Sequence, residues 1–289
     1  MNNFNFTKMS GAGNDFILFD KNINPGLALN PNSIKKLCDR RNGIGADGII
    51  TVSDGDNCDF EMEYFNADGS TGSLCGNGSR CAIKFAEVTG RLKNGSANFI
   101  SNKKSYKGKI IDEKKITFFL NQPEDLKLNF DIFVLGQLIN LDYINTGSPH
   151  VVINIGKVLK DISGTDSEYK NINEFPVNEF GSEIRYHEEF APEGTNVNFI
   201  SLDNEKVLIR TYERGVEDET LSCGTGNVAA AIIASINFGV NSPVNLLTRG
   251  GDILTVDFEK TGNSFKNVAL TGPVKTIYTG EINSIIFDK

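Results

Sequence analysis

A short motif, Cys-Gly-x-Gly, occurs twice in this chain, each time where a strand-like segment gives way to an alanine-rich, helix-like one. The first copy begins at Cys75 and the second at Cys223. When Cys75 is placed over Cys223, the flanking stretches align without a gap, and an aromatic residue, Tyr64 or Tyr212, lies eleven positions upstream in both. This internal similarity predicts two similar halves that descend from one duplicated unit.

A cysteine at the start of a helix has two electrostatic advantages. The backbone N–H groups of the first helical turn point toward it, and the helix dipole favours its thiolate. The glycines that follow let a small anionic ligand approach those N–H groups closely. The repeat therefore predicts two half-sites, each with a thiol beside an anion-binding helix N-terminus.

The composition argues against several classes of protein. Of the 289 residues, 39% are hydrophobic and 23% are charged, which is typical of a globular chain. The net charge of −8 and the pI near 5.0 argue against a nucleic-acid partner. The sequence contains no apolar run long enough to span a membrane, and residues 1–10 lack the apolar core of a signal peptide. We therefore expect a cytoplasmic protein with no membrane partner.

The cysteine and histidine content gives a further expectation. Five cysteines at irregular spacings indicate a reducing compartment rather than a disulfide framework. With two histidines and no Cys-x-x-Cys, we expect no metal site. Cys38, Cys58 and Cys81 are expected to be small buried hydrophobic residues, as most lone cysteines are.

Hydrophobic periodicity predicts many strands and one principal helix in each half, which is the α+β class rather than a parallel βαβ sheet. The predicted strands are 4–9, 16–20, 49–53, 58–66, two or three within 98–120, 141–145, 151–155, 196–201, 206–212 and several within 248–286. Helices are expected at 31–41, at 79–88 and after Cys223, whereas 181–186 fits either state. Residues 122–131 are polar and contain a proline, so we place a domain boundary there.

Two thiols in equivalent positions could form a disulfide, act as a redox pair or, with more ligands, bind a metal. The symmetric setting favours a fourth possibility, in which both helix ends hold one carboxylate. One thiolate would remove a proton from the adjacent carbon, and the opposite thiol would protonate the other face and invert the stereocentre. A thiol pKa of about 8.5 is close enough to neutrality for both roles. Backbone N–H groups aimed at the developing charge contribute on the order of 3 kcal/mol each.

Six motifs follow one another along nearly the whole chain. They are Lys8-Met9-x-Gly11-x-Gly13-Asn14-Asp15-Phe16, Arg41-Asn42-Gly43-Ile44-Gly45-x-Asp47, Phe65-Asn66-Ala67-Asp68-Gly69-Ser70 continuing to Cys75-Gly76-Asn77-Gly78-x-Arg80-Cys81, Gly147-x-Pro149-His150, Asn196-Val197-Asn198-Phe199, and Tyr212-Glu213-Arg214-Gly215 continuing to Glu219-Thr220-x-x-Cys223-Gly224-Thr225-Gly226. In content and order they resemble the diaminopimelate epimerase family of cofactor-independent amino-acid epimerases. The second motif lacks one residue that the family usually inserts.

The resemblance implies a role for each matching position. Cys75 and Cys223 are expected to be the acid–base pair, with His150 and Glu213 as polar neighbours that assist catalysis. The residues expected to bind the substrate are Asn14, Asn66, Gly76, Asn77, Asn196, Glu213, Arg214, Gly224 and Thr225.

The chain departs from the family pattern at three positions. They are Ser10, where the family often has His, Ser148, where Asn is usual, and Gly48, where some members have Gln. The last two departures leave open which contacts Ser148 and Gly48 make with the substrate.

The resemblance also implies an architecture. The expected fold is α+β, with two pseudo-symmetric halves, each a curled mixed β-sheet or barrel around a central helix. The first half would cover 1–128 with a returning C-terminal strand at 273–289, and the second half would cover 129–272. Family members are typically homodimers, and Tyr278 matches a position in the dimer contact.

Three hypotheses for the function remain. The first is an epimerase that needs no cofactor and interconverts LL- and meso-2,6-diaminopimelate, for lysine and peptidoglycan precursor synthesis. The second is a related two-cysteine racemase that acts on proline or hydroxyproline. The third is a non-catalytic amino-acid-binding or thiol redox protein. Taken alone, His150 would be an ordinary surface or core histidine and Glu213-Arg214 a solvated pair at a strand end.

Overall fold

The structure is a computed structural model of the 289-residue chain, and it describes residues 3–72, 75–162 and 168–284. Ser73 and Leu74, which belong to the loop before Cys75, and the end of the predicted C-terminal strands at 285–286 lie outside the described residues. The chain divides into two compact units, one formed by Met1–Phe119 with Thr271–Lys289 and the other by Leu120–Leu270. The predicted domain limits at 128/129 and 272/273 stay a prediction.

The first unit contains most of its strands before residue 120 and receives one more from the end of the chain. The strands are β1 (Asn3–Gly11), β2 (Asn14–Asp20), β3 (Gly48–Ser53), β4 (Phe60–Asn66), β5 (Ser96–Ser101), β6 (Lys104–Ile110), β7 (Lys115–Phe119) and, numbered in chain order, β17 (Lys275–Asn283). The helices described in this unit are α1 (Pro31–Cys38) and α2 (Gly76–Val88).

The strands of the first unit form one mixed sheet in the order β17-β1-β2-β3-β4-β5-β6-β7. The β2·β3 and β4·β5 pairs are parallel, and the other neighbouring pairs are antiparallel. Each parallel pair is joined through a helix, α1 for the first and α2 for the second. Because α2 contacts strands from β1 to β7, the sheet curls around it, while α1 covers the outer face over Ile17, Phe19 and Ile49.

The second unit repeats this arrangement with longer connections. Its strands are β8 (Glu124–Val134), β9 (Gln137–Asn145), β10 (Pro149–Asn154), β11 (Asn196–Asp203), β12 (Lys206–Glu213), β13 (Asp218–Thr220), β14 (Val244–Leu247), β15 (Ile253–Thr261) and β16 (Ser264–Pro273), of which the last three residues belong to the first unit. The helices described are α3 (Val177–Arg185) and α4 (Gly224–Asn237), with short 3-10 turns at Ile155–Lys157, Ile172–Glu174 and Glu188–Phe190.

The order of pairings in the second unit matches that in the first. The β9·β10 pair is antiparallel, β10·β11 is parallel with α3 in its connection, β11·β12 is antiparallel, and β12·β14 is parallel with α4 in its connection. The helix α4 contacts strands from β9 to β15, and α3 covers the outer face. The predicted fold class, with two pseudo-symmetric halves and a curled mixed sheet around a helix in each, is therefore confirmed.

The sequence of α4 explains why the sheet must surround it. Of its residues, those from Gly224 to Ser235 are all buried, and alanine and isoleucine occur on every face. A helix that is apolar all round is stable only where neighbouring elements cover all its faces. The first central helix, α2, is buried from Gly76 to Ile83 and leaves only part of its last turns to solvent.

Two helix boundaries differ from the expectation, and one undecided segment is resolved. Helix α1 ends at Cys38 rather than residue 41, because Asp39 is extended and its side chain accepts from the N–H groups of Arg41 and Asn42. Helix α2 begins at Gly76, before the predicted start at residue 79. The ambiguous segment at 181–186 is helical as far as Arg185, the last residue of α3, and Tyr186 is the C-cap.

The prediction for the polar segment at 122–131 did not include a strand, but β8 begins there at Glu124. Its pairing with β9 is irregular, with shifts of register on either side of Lys127, and Asp125 and Asn129 have positive φ angles of 55° and 53°. Such bulges interrupt the alternation of apolar and polar side chains on which a strand prediction depends.

The ungapped alignment of Tyr64 with Tyr212 is also wrong as a structural equivalence. Tyr212 belongs to the apolar cluster that covers α3, on the outer face of its sheet. Tyr64 pairs with Ile50, whose side chain lies near Gly78 at the start of α2, on the inner face. Side chains alternate between the two faces of a strand, so the ungapped sequence alignment is shifted by one residue from the structural equivalence of the two strands.

No helix in the described part of the chain is long and apolar enough to cross a membrane.

Helix α3 provides a test of how closely the outer layer packs. A Cβ on Gly181 would lie 2.6 Å from Cγ of Tyr212, an atom fixed by its own strand. Replacing glycine with alanine inside a helix raises the free energy of unfolding by about 1 kcal/mol. An overlap of this kind lowers it by about 1–3 kcal/mol. We expect Gly181→Ala to lower the urea midpoint of unfolding, followed by circular dichroism. The neighbouring Ser182→Ala is the matched control, with a change of no more than about 0.5 kcal/mol. A midpoint that rises in Gly181→Ala would contradict this packing.

Candidate active site

Cys75 caps the N-terminus of α2 in the first unit. Its backbone is extended, with φ −110° and ψ 110°, and its carbonyl accepts the first helical hydrogen bond from Ser79 at 2.8 Å. Its Sγ accepts a hydrogen bond from the backbone N–H of Gly78 at 3.3 Å. The sulfur therefore occupies the position in which serine or aspartate usually caps a helix, and the N–H group favours its thiolate form.

Asn14 is the predicted site residue that contacts this thiol. Its Oδ1 lies 3.8 Å from Cys75 Sγ, as the acceptor, and its Nδ2 donates to Asp47 at 2.6 Å. Asp47 is itself bound to Arg40 at 2.6 Å. The carboxylate thus fixes the amide with its oxygen toward the sulfur, so Asn14 is oriented by Asp47 and Arg40, which were not among the predicted site residues.

The charges behind Asn14 form one network. Asp15 is paired with Arg40 and with the buried Lys8, each at 2.8 Å. Burial alone would raise the pKa of Asp15, but the hydrogen bonds and charges of Arg40 and Lys8 lower it to about 2. Burial and the nearby charge of Asp15 raise the pKa of Asp47. The motifs around residues 8–16 and 41–47 therefore meet in one ion-pair network that supports the thiol loop.

The other predicted residues of the first unit lie at the start of α2 and at the end of β4. Gly76 and Asn77 are the first two residues of α2, and Asn77 is completely buried and accepts from Arg80 at 2.8 Å. Asn66 ends β4, and its amide donates to Ser70 at 3.0 Å. Gly48 is the register partner of Asn66, and its Cβ would lie 2.6 Å from the carbonyl oxygen of Phe65. A longer side chain at this position would require the neighbouring strand to move.

Cys223 caps the N-terminus of α4 in the second unit. Its φ and ψ angles, −106° and 117°, are close to those of Cys75, and its side chain is buried. Its Sγ lies 3.6 Å from the hydroxyl of Thr225, which is in the first turn of the helix. The two cysteines thus share a backbone position but have different side-chain neighbours.

His150 contacts the Cys223 loop through Thr225. Its Nε2 lies 2.9 Å from the Thr225 hydroxyl, and its Nδ1 lies 3.1 Å from the amide nitrogen of Asn198. The ring is completely buried. Burial, followed by the charge of Arg214, lowers the pKa of His150 to about 3, so the ring is neutral at pH 7.

Asn196 connects the remaining predicted residues. Its amide nitrogen donates to the Ser148 hydroxyl at 3.0 Å and to the Pro149 carbonyl at 2.8 Å, and its oxygen accepts from the backbone of Arg214 at 2.9 Å. Glu213 accepts from the Thr220 hydroxyl at 2.9 Å. The structure therefore brings the Gly-x-Pro-His turn and the Glu213-Arg214 element to the same ends of β10, β11 and β12.

Asn198 is a neighbour of the site with no predicted role, although it lies in one of the motifs. Every residue from Asn196 to Ile200 is buried, so a polar side chain at its centre must have internal partners. A polar residue at the centre of a strand that is buried throughout is the signal that could have indicated a role for Asn198. Gly226 leaves room for this side chain, because a Cβ there would overlap Asn198 Oδ1 and lie 3.3 Å from Cys223 Sγ.

The three other cysteines have the environment of structural residues. Cys38 and Cys81 are buried, and Cys58 is half-buried with its thiol directed at the carbonyl of Phe60. Burial raises the pKa of all three thiols, to about 12 for Cys38. In the described ranges, no three His, Cys, Asp or Glu side chains lie close enough to hold a metal ion together.

The lowered pKa of His150 predicts a pH dependence of stability. The unfolded chain binds a proton at this residue near pH 6.5, whereas the folded ring does so only near pH 3. Between these values the unfolded state holds more protons, so stability falls as the pH falls, by up to about 1.4 kcal/mol per pH unit. We expect urea unfolding at pH 7, 6 and 5 to show a smaller loss of stability in His150→Gln than in the wild type. His187→Gln, which removes the other histidine, is measured beside it as the matched substitution, and equal slopes in wild type and His150→Gln would contradict the assignment.

Comparison with known proteins identifies the family. The family model described as diaminopimelate epimerase matches residues 6–117 and 143–277. The diaminopimelate epimerase of Aquifex aeolicus is 36% identical, over 98% of this chain and 99% of that protein, and that of Chlorobaculum tepidum is 37% identical, over 95% and 99%. A solved structure of a probable proline racemase from Agrobacterium radiobacter is only 14% identical but has a TM-score of 0.72, over 99% of this chain and 94% of that one, which shows a shared fold. The chain belongs to the diaminopimelate epimerase family.

Proposed function

We propose that this chain is a diaminopimelate epimerase that interconverts the LL and meso forms of 2,6-diaminopimelate with two cysteine side chains and without pyridoxal phosphate. The observation that carries the proposal is the repeated helix N-terminus. Cys75 and Cys223 cap α2 and α4 with nearly the same backbone angles, each at the start of a helix buried in its sheet. Family membership supplies the substrate.

The proposed reaction begins with one cysteine as thiolate and the other as thiol. The thiolate removes the proton from the α-carbon, and the electron pair remains on that carbon and the adjacent carboxylate. The thiol of the other loop then gives its proton to the opposite face of the carbon, so the stereocentre is inverted and the two sulfur atoms exchange protonation states. No atom is gained or lost, and the reverse reaction uses the opposite assignment of acid and base.

The first turns of the two helices supply the anion-binding groups in this proposal. Gly76, Asn77, Gly224 and Thr225 present backbone N–H groups at a helix N-terminus, which favours a carboxylate and the charge that develops on it. Since His150 is neutral at pH 7, it assists by hydrogen bonding rather than by accepting the α-proton. Asn14 positions the Cys75 thiol in the same way.

The distal amino-acid group of the substrate is assigned to the polar residues of the second unit, together with Asn66. Glu213 and Arg214 offer a carboxylate and a guanidinium, which match an ammonium and a carboxylate group. Asn196 holds the backbone of Arg214 and the hydroxyl of Ser148 in place. This assignment separates the proposed enzyme from a proline racemase, whose substrate has no second amino-acid group.

The proposal places the reaction in the cytoplasm, where meso-diaminopimelate serves lysine and peptidoglycan precursor synthesis, and the active form is a homodimer. The exposed side chains of Ile277 and Tyr278 on β17, which are 52% and 44% accessible, support an interface at this strand. Tyr278 also makes an edge contact with Phe6 of β1 at 5.9 Å, which holds its ring in place.

The reaction is tested by deuterium exchange. Wild-type protein with LL-diaminopimelate in deuterated buffer, with a reducing agent and no added cofactor, should place deuterium at one α-position and form the meso product, as followed by NMR. Cys75→Ala and Cys223→Ala should each lose roughly 100- to 10,000-fold in epimerisation, because each removes one acid–base group. Cys58→Ala, which changes a cysteine outside the loops, should remain within about twofold of wild type.

The controls separate the alternatives. Circular dichroism should show that all three cysteine variants are folded, and wild-type activity in either Cys75→Ala or Cys223→Ala would overturn the two-thiol mechanism. Proline and hydroxyproline should show no exchange at the α-position. Exchange with either of them and none with diaminopimelate would replace the proposed substrate by the racemase alternative.

The homodimer has its own test. Tyr278→Glu places a charge on the exposed face of β17, and we expect sedimentation velocity to show a shift from dimer to monomer at micromolar concentration. Tyr186→Glu is the matched control, since Tyr186 is also an exposed tyrosine but lies at the end of α3. A dimer that both variants retain would place the interface elsewhere.

A further inference from the structure

A buried chain of polar side chains runs from Asn198 to Cys223 within the second unit. Asn198 contacts Nδ1 of His150, Nε2 of His150 contacts the Thr225 hydroxyl, and that hydroxyl contacts the sulfur, at 3.1, 2.9 and 3.6 Å. All four side chains are buried, and those of Asn198 and His150 are completely so. The contact between Asn198 and His150 determines which group donates in each of the other hydrogen bonds.

The orientation of the Asn198 amide is fixed by its other partner. The same Nδ2 lies 2.8 Å from the backbone carbonyl of Val151, which can only accept a hydrogen bond. The atom that faces Val151 and His150 is therefore the amide nitrogen, and Oδ1 accepts from the Thr211 hydroxyl at 3.0 Å. An amide nitrogen has two hydrogens and no acceptor capacity, so it donates to Nδ1 of His150.

The tautomer of His150 follows from this contact. A neutral imidazole has one donor nitrogen and one acceptor nitrogen. Since Nδ1 is the acceptor, the proton is on Nε2, which donates to the Thr225 oxygen. The Thr225 hydroxyl then accepts from the ring, and its own hydrogen is available to Cys223 Sγ. A hydroxyl that donates to a thiolate makes a charge-assisted hydrogen bond and favours that form.

We propose that Asn198 is a positioning residue of the Cys223 half-site, which fixes the Nε2–H tautomer of His150 and thereby directs the Thr225 hydroxyl toward the Cys223 sulfur. The catalytic part of this inference rests on the proposed epimerase function, whereas the tautomer and the thiol acidity do not. Gly226 is also required for this hydrogen-bonded chain, because a side chain there would displace the Asn198 amide.

Asn198→Asp is the decisive substitution, since it keeps the shape of the side chain but replaces the donor with a second acceptor. The aspartate should draw the ring proton to Nδ1, so that the Thr225 hydroxyl donates to Nε2 of His150 and no longer to the sulfur. The chain has only two histidines, so long-range proton–nitrogen NMR spectra resolve both rings, and His187→Gln assigns them. We expect the Nε2–H tautomer of His150 in the wild type and an Nδ1-protonated ring in Asn198→Asp.

The second readout is the acidity of the Cys223 thiol. Alkylation of Cys223 by iodoacetamide, quantified against pH by peptide mass spectrometry, should be about tenfold slower at pH 7 in Asn198→Asp, which corresponds to a pKa higher by about one unit. Thr225→Val removes the same hydroxyl hydrogen without altering Asn198 and should have the same effect, whereas Thr225→Ser should restore the wild-type rate. Asn245→Asp, an exposed asparagine on β14, should leave the Cys223 rate unchanged.

Several outcomes would overturn the proposal. An Nδ1–H tautomer in the wild type, or an unchanged Cys223 rate in Asn198→Asp together with Thr225→Val, would show that Asn198 has no such role. Cys81, which is completely buried, serves as an internal monitor of folding, and a rise in its alkylation identifies a variant that has opened. Thr225→Val then decides the question if Asn198→Asp does not fold.

Measurements of turnover test the role of Asn198 in catalysis separately from the proposed function. With diaminopimelate as substrate, Asn198→Asp should lower kcat by about tenfold with little change in KM, because the substrate-binding residues are intact. If the wild type exchanges no α-hydrogen, the proposed function fails, but the tautomer and the alkylation rates still decide the role of Asn198. Normal kcat in Asn198→Asp with an active wild type would overturn the catalytic part alone.

Discussion

A helix that is buried on every side imposes the main constraint on this structure. The side chains of α4 are apolar or small all round, so a sheet must cover all its faces, and its first-turn N–H groups must find partners inside the protein or in a ligand. The same holds for the beginning of α2. In the proposed function, a cysteine at the N-cap and glycines in the first turn let a small anion approach those N–H groups. The curled sheet and the proposed anion-binding site would thus both follow from one buried helix.

The two half-sites share a backbone arrangement and differ in their side chains. The sulfur of Cys75 lies near an amide oxygen, which Asp47 holds in place, whereas that of Cys223 lies near a hydroxyl, which neutral His150 holds in place. A hydrogen-bond acceptor beside the sulfur favours the thiol, whereas a hydrogen-bond donor favours the thiolate. Cys75 also has a donor, because its sulfur accepts a hydrogen bond from the backbone N–H of Gly78. In the proposed epimerisation both cysteines pass through both protonation states, so each needs surroundings that tolerate either form.

The sequence predicted the parts of the structure that have short-range signals. Glycine-rich joints, alternating strands and the alanine-rich helix after Cys223 gave the fold class, and linked motifs gave the family. Irregular strands were harder, since the bulges at Asp125 and Asn129 hide β8 behind a polar pattern. The equivalence of Tyr64 and Tyr212 failed because a shift of one residue reverses the face of a strand, and an ungapped alignment cannot detect that shift.

The contacts that orient the site residues depend on long-range geometry, which the sequence does not contain. Asn14 and Asp47 are separated by 33 residues, and His150 and Thr225 by 75, yet each pair is joined by one hydrogen bond. The motifs identified one member of such pairs more readily than the other, because a cysteine or histidine in a glycine loop suggests chemistry, whereas a buried asparagine in a strand suggests only packing. Burial changes that interpretation. An amide at the centre of a completely buried strand must direct its donors and acceptors at particular atoms, and those atoms determine which proton the neighbouring ring carries.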